Sequence, residues 1–174
     1  FVRWKGQDVF IKALAKLPHR HFFAVLVGDD KGHEGYRHEL ETLISKSGLE
    51  GHVRPAKHTH YVSEAYMLAR VVVATSLEPE AFGRVVLEAQ AMGRPVIATS
   101  HGGPQETVIP GVTGWLVPPG DDDTLSAQIE RALAMDNVTM QEMAEQAAHH
   151  ARQFSLDAMC DQTLKVYGEV LAGS

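Results

Sequence analysis

The chain has 174 residues, 44% of them apolar and 22% charged, the make-up of a globular protein with one substantial core. Its net charge of −6 leaves no basic surplus to neutralise a phosphate backbone, which excludes nucleic acid as a partner. No apolar run reaches the roughly 18 residues of a membrane-spanning helix, and the single cysteine, Cys160, cannot close an internal disulfide, so a cytoplasmic protein is expected.

Lys5-Gly6 precedes a helix in which Phe10, Ala13, Leu14 and Leu17 recur at helical spacing, and Pro18 ends it. Residues 22–27, FFAVLV, form an apolar run closing on Gly28-Asp29-Asp30. That pattern predicts a buried parallel strand with a loop at its carboxyl end. An exposed helix is predicted over 34–47, with Leu40, Leu43, Ile44 and Ser47 inward and Gly48 as its C-cap. A weaker strand over 52–56 is interrupted by Pro55. A short helix over 63–69, N-capped by Ser63, precedes a buried strand over 71–75, VVVAT.

Residues 78–100, EPEAFGRVVLEAQAMGRPVIATS, read as a turn, a helix and a buried strand over 96–99. Gly83 stands where the helix opens and Gly93-Arg94-Pro95 where it closes. His101-Gly102-Gly103-Pro104 and the segment 111–114 are turns, and 115–117 is a last short strand before Pro118-Pro119-Gly120. The remainder is helical. One helix starts at Asp121 or Asp123 with Leu125, Ile129, Ala132 and Leu133 inward, and a second covers 139–154. A third, N-capped by Ser155, carries Cys160, Leu164, Tyr167 and Leu171 on one face.

Short apolar runs alternating with helices predict an α/β fold. It is an open parallel Rossmann-like sheet with helices on both faces, one domain over 1–174. Ligands of such sheets sit beyond the carboxyl ends of the strands. Gly28, the Glu80 turn and the Gly102-Gly103 loop all fall at that edge. Glu80 lies before the central helix and Glu88 inside it, with the helix's first free N–H groups between them. This suits a ligand with an anionic middle and hydroxylated ends: the helix N-terminus takes the phosphates and the carboxylates accept from hydroxyls. His58 and His60, two residues apart with no cysteine nearby, and the adjacent pair His149-His150 do not make a metal site.

The string E-P-E-A-F-G-R-V-V-L-E-A-Q-A-M-G-R-P-V-I-A resembles the Glu-x7-Glu donor-binding motif of retaining glycosyltransferases with the GT-B fold, family 4. The resemblance extends over nearly the whole chain and implies the C-terminal, donor-binding half of such a protein, with the N-terminal acceptor domain absent. It implies that Glu88 holds the ribose hydroxyls and that Glu80, with Ala81, Phe82 and Gly83, lies against the donor sugar. Arg84 and Val85 belong to the same substrate-binding match. Lys5 matches the lysine of the family's G-R-x(n)-K-G pattern, which grips the diphosphate. The arginine of that pattern would fall upstream of Phe1, and Arg3 is too close to Lys5 to replace it. The family's V-G-x-G reads V-G-D-D here, yet Gly28 still lets backbone approach a ligand. Lys57 replaces a glycine that helps hold the base, which leaves the base open. Glu106, in the counterpart of the family's G-G-x-x-E, is a further candidate donor contact.

The implied reaction moves a hexose, with retention, from a nucleotide diphosphate to a glycan or lipid acceptor, as in lipopolysaccharide or exopolysaccharide synthesis. No metal or other cofactor and no catalytic residue within the chain are expected, and peripheral membrane contact runs through the absent domain. A GT-B sugar-nucleotide epimerase, a starch-type synthase domain and a non-catalytic nucleotide-binding module stay open as alternatives. In the family, the strand before the Lys-Gly helix is central in the sheet. Its place here is expected between the strands over 22–27 and 71–75. The chain alone is expected to bind nucleotide weakly and to turn over nothing.

Overall fold

The computed structural model describes residues 1–57 and 59–172. A 3-10 turn at Arg3–Lys5 leads into α1 (Gln7–Ala15). Then come β1 (Ala24–Val27), α2 (Glu34–Lys46), β2 (Val53–Ala56), α3 (Val62–Leu68) and β3 (Val72–Ala74). The second half runs α4 (Arg84–Ala91), β4 (Val96–Thr99), α5 (Pro104–Thr107) and β5 (Gly114–Val117). It ends with α6 (Asp122–Ala134), α7 (Asn137–Ala151) and α8 (Leu156–Ala172). The paired strands are parallel, as the strand–helix alternation predicts.

Local chemistry sets the helix ends. α2 stops at Gly48, where φ is 64°. Gly48 N–H donates to Ser45 O and Leu49 N–H to Ile44 O, both at 3.0 Å, closing the last turn. α6 starts where the Asp121 carboxylate accepts from Thr124 N–H at 2.9 Å. α7 begins two residues earlier than expected, because the Asp136 carboxylate accepts from the N–H groups of Val138 and Thr139. The cap expected from Ser63 does not form, for a similar reason of register. α3 starts at Val62, so Ser63 lies inside it and its hydroxyl meets Glu64 at 3.0 Å instead.

The strands form two ladders, β1–β2 and β3–β4–β5, and among the described residues no ladder joins β1 to β3. These are the two strands expected to flank the central place. Pro55 is tolerated because β2 is paired on one side only. Residues 1–6 lie across the carboxyl ends of both ladders without pairing as a strand. Leu77 N–H donates to Trp4 O at 2.6 Å. Thr75 Oγ1 donates to the carbonyls of Lys5 and Gly6 at 3.0 and 2.9 Å.

One core runs beneath both ladders. Ile11 and Leu14 of α1, Leu40 and Ile44 of α2, and Leu125 and Ile129 of α6 meet Leu26, Val53, Ile97 and Trp115. A second core covers the opposite face of the larger ladder, where Val86 and Ala89 of α4 meet Val96 and Ala98. β4 alternates between them and is buried throughout. The second core does not extend over β1, so Val25 and Val27 stay 48% and 42% exposed. The expectation of a buried strand over 22–27 is therefore corrected: only Leu26 is buried in β1, and β3 is half-buried along its length. α8 buries none of its residues, and the face with Leu164, Tyr167 and Leu171 is exposed. Among the described residues no helix is long and apolar enough to cross a membrane.

Candidate functional site

The turn before α4 is built by backbone contact rather than by side-chain packing. Gly83 takes φ 67° and passes the chain into α4. Gly103 N–H donates to Glu80 O at 2.7 Å, holding the turn against the start of α5. A Cβ at Gly103 would come within 2.5 Å of the Phe82 carbonyl carbon, so only glycine permits this approach. Ser76 Oγ donates to the Glu80 carboxylate, and the His101 ring sits 2.9 Å from Ser76 O through Nε2. Behind the turn, the buried Gln90 amide donates to Thr107 O at 3.0 Å and to Thr113 Oγ1 at 3.1 Å. These bonds tie α4 to α5 and to the approach of β5.

An open cleft of ≈ 660 Å³ lies along this turn. Lys5, Glu80, Ala81, Phe82, Gly83, Arg84, Val85 and Glu88 all line it. Of the candidate contacts named from sequence, these eight thus meet in one place, and Gly28 and Glu106 do not line it. Gly28 sits at the end of β1 with its N–H on Ala56 O at 3.3 Å, and the Phe1 ring covers it, 3.5 Å from where a Cβ would stand. Glu106 is exposed on α5 and does not line the cleft. Arg3 points elsewhere: its guanidinium pairs with Glu39 at 2.6 Å and lies over the Tyr36 ring. His58, of the His58–His60 pair, lies outside the described residues. Among those described, no group of three His, Cys, Asp or Glu converges.

Sequence reasoning passed over Trp4, which lines the cleft and whose ring lies 4.3 Å from the Lys5 ammonium. Its place beside Lys5 was the available signal. It also passed over Ser76, His101 and Tyr66. No spacing in the sequence links these to the two glutamates.

The cleft combines three carboxylates, Glu78, Glu80 and Glu88, with two cations, Lys5 and Arg84, and the head of a helix. Lys5 Nζ meets Glu80 Oε1 at 2.8 Å, with the Glu80 side chain only 17% exposed. Burial alone would push the Glu80 carboxyl up. Hydrogen bonds from Lys5 and Ser76, with the lysine charge, outweigh it and hold the carboxyl below its ordinary value. A carboxyl depressed by folding stabilises fully above its unfolded value, 4.5, and that contribution disappears as the pH falls through the folded value. In Lys5→Met, burial acts with less opposition and the carboxyl moves up. The loss of stability below pH 4.5, followed by urea unfolding at stepped pH, should then be smaller than in the unmodified chain. An equal loss would show that the pair does not set the Glu80 ionisation.

Glu88 accepts from Tyr66 Oη at 3.0 Å through Oε2 and from Arg84 at 3.3 Å through Oε1. The Arg84 and Val85 N–H groups at the head of α4 have no acceptor within the helix and carry the positive end of its dipole. Such a wall can bind an anionic group between hydroxyls that donate to Glu80 and Glu88.

Residues 1–154 match the model of the family "Glycosyl transferases group 1". The chain is 36% identical over 180 residues to the D-inositol 3-phosphate glycosyltransferase of Corynebacterium glutamicum, covering 97% of the chain and 41% of that protein. It is 33% identical over 181 residues to D-inositol 3-phosphate glycosyltransferase 1 of Catenulispora acidiphila, covering 98% of the chain and 43% of that protein. The chain thus spans less than half the length of these relatives. Among solved structures, a glycosyltransferase from Rickettsia africae superposes with a TM-score of 0.92 at 32% identity, covering 99% of the chain and 46% of its own. HepE of Anabaena, solved with UDP and glucose, superposes at 0.88 with 33% identity, covering 97% of the chain and 46% of its own. By the family match over most of its length and by these likenesses, the chain belongs to the glycosyl transferases group 1 family.

Proposed function

We propose that the cleft binds a nucleotide-diphosphate sugar and that the protein is a cytoplasmic hexosyltransferase, moving the hexose with retention to a glycan or lipid acceptor. The observation that carries this reading is the convergence of Lys5, Glu80, the head of α4 and Glu88 on one cleft. In this reading the diphosphate lies against the Arg84 and Val85 N–H groups and the Lys5 ammonium. These groups stabilise the charge on the leaving diphosphate, and no metal is invoked. Glu88 accepts from the ribose, while Glu80 and the backbone of Ala81, Phe82 and Gly83 face the sugar. Support comes from the HepE likeness, a structure holding UDP and glucose. Gly28 lies outside this cleft, beside the Phe1 ring. The acceptor and the residues around the reacting carbon belong to an N-terminal domain of the full-length protein, as the greater length of the relatives supports.

The test is a titration of the chain with UDP, GDP and ADP, followed by a transfer assay on the full-length protein. Chain alone should bind one of them with a dissociation constant in the high micromolar to millimolar range, about −4 to −6 kcal/mol, and release no nucleotide with any acceptor. Absence of binding to all three would end the nucleotide-sugar reading. Binding without transfer by the full-length protein would favour a nucleotide-binding module.

A further inference from the structure

Tyr66 stands behind Glu88, outside the lining of the cleft. Its ring packs against the second core, whose members include Val86 and Ala89 of α4, and its hydroxyl donates to Glu88 Oε2 at 3.0 Å. The other oxygen of Glu88 meets Arg84 at 3.3 Å, from a side chain 83% exposed. An exposed pair of that kind fixes little. The Tyr66 bond, anchored in packed core, is therefore what sets the direction of the carboxylate. Burial pushes the Tyr66 phenol up and the Glu88 charge pushes it further, so the O–H remains a donor wherever Glu88 is ionised. A carboxylate offers about four lone-pair sites. With one taken by Tyr66 and one by Arg84, about two are left for hydroxyls in the cleft.

We propose that Tyr66 is a positioning residue that aligns Glu88 with a vicinal diol and thereby sets a preference for ribonucleotides over 2′-deoxyribonucleotides. This rests on the reading of Glu88 as the ribose-binding residue. Two adjacent hydroxyls donate together to one carboxylate at the least entropic cost when its plane is already fixed against them. A carboxylate free to turn must be ordered to accept both, which offsets part of the second bond, and removal of the 2′-hydroxyl then costs less.

The experiment compares UDP with 2′-deoxy-UDP by ligand-observed NMR titration of the chain, of Tyr66→Phe and of Tyr36→Phe. Tyr36 is a buried phenol whose hydroxyl meets Gln7 at 3.3 Å, away from the cleft. The unmodified chain should prefer UDP about tenfold or more, the scale of one hydrogen bond to a charged group. Tyr66→Phe should narrow the preference to roughly threefold or less, while Tyr36→Phe keeps it. The ratio is read on the folded molecules in both titrations, so a loss of folded material cancels. An unchanged ratio in Tyr66→Phe, or no preference in the unmodified chain, overturns the proposal while leaving nucleotide binding intact. Failure of the unmodified chain to bind UDP, GDP or ADP overturns the functional reading and this proposal with it.

Discussion

Gly6→Ala should be among the most damaging single methyl additions in this chain. Gly6 has φ 64°, and a Cβ there would stand 2.1 Å from the Thr75 carbonyl oxygen. The left-handed conformation costs a non-glycine residue roughly 1–2 kcal/mol. Relieving the overlap costs about 1–3 kcal/mol more, since the obstacle is backbone and not the end of a flexible side chain. The expected loss is about 2–5 kcal/mol, a large part of the roughly 5–15 kcal/mol that holds a domain folded. For a chain of this size that lowers Tm by about 10 °C, measurable by calorimetry. The damage should reach the cleft as well. Lys5 precedes Gly6, and its carbonyl takes the Thr75 hydroxyl at 3.0 Å, so moving this contact moves the ammonium away from Glu80. A melting temperature within about 2 °C of the unmodified chain would show that residues 1–6 are not fixed against the end of β3.

Glu88→Ala should weaken nucleoside diphosphate binding by about 1.5–3 kcal/mol, the range for a hydrogen bond to a charged group. That corresponds to roughly ten- to a hundredfold in the dissociation constant. Stability should change less, because Glu88 and its partner Tyr66 are both only partly buried. Calorimetric titration with UDP separates the two effects. An unchanged affinity would remove Glu88 from the site and leave the head of α4 and Lys5 as the only anchors. Glu88→Gln should fall between, since it keeps an acceptor for the ribose and for Tyr66 and loses the charge.

The central stretch was legible because its signals are local. Gly83 and Gly93 mark positive φ, Pro95 forbids helix, and Val96, Ile97 and Ala98 form an apolar run closed by the β-branched Thr99. Together they fix where α4 begins and ends, and hence that Glu80 precedes it and Glu88 lies inside it. The parallel ladders follow from the same alternation of runs and helices. The resemblance to a family read from sequence was carried chiefly by this stretch too. Its residues meet at one cleft because a single turn carries nearly all of them.

Read residue by residue, the chain specifies the order of its elements, their parallel pairing and the seven residues, Glu80 to Val85 and Glu88, that local geometry carries to the cleft. The rest depends on contacts between segments far apart in the chain. Phe1 closes over Gly28, so a glycine at the right sheet edge does not reach the cleft. Val25 and Val27 are exposed because the second core stops at β3, which an apolar run cannot reveal. Tyr66 finds Glu88 across 22 residues, and Lys5 finds Glu80 when residues 1–6 cross the end of β3. One cause underlies all four. Backbone dihedrals and side-chain periodicity are properties of neighbours in the chain, whereas burial and charge pairing are settled when helices dock on strands and bring distant residues within a few ångströms.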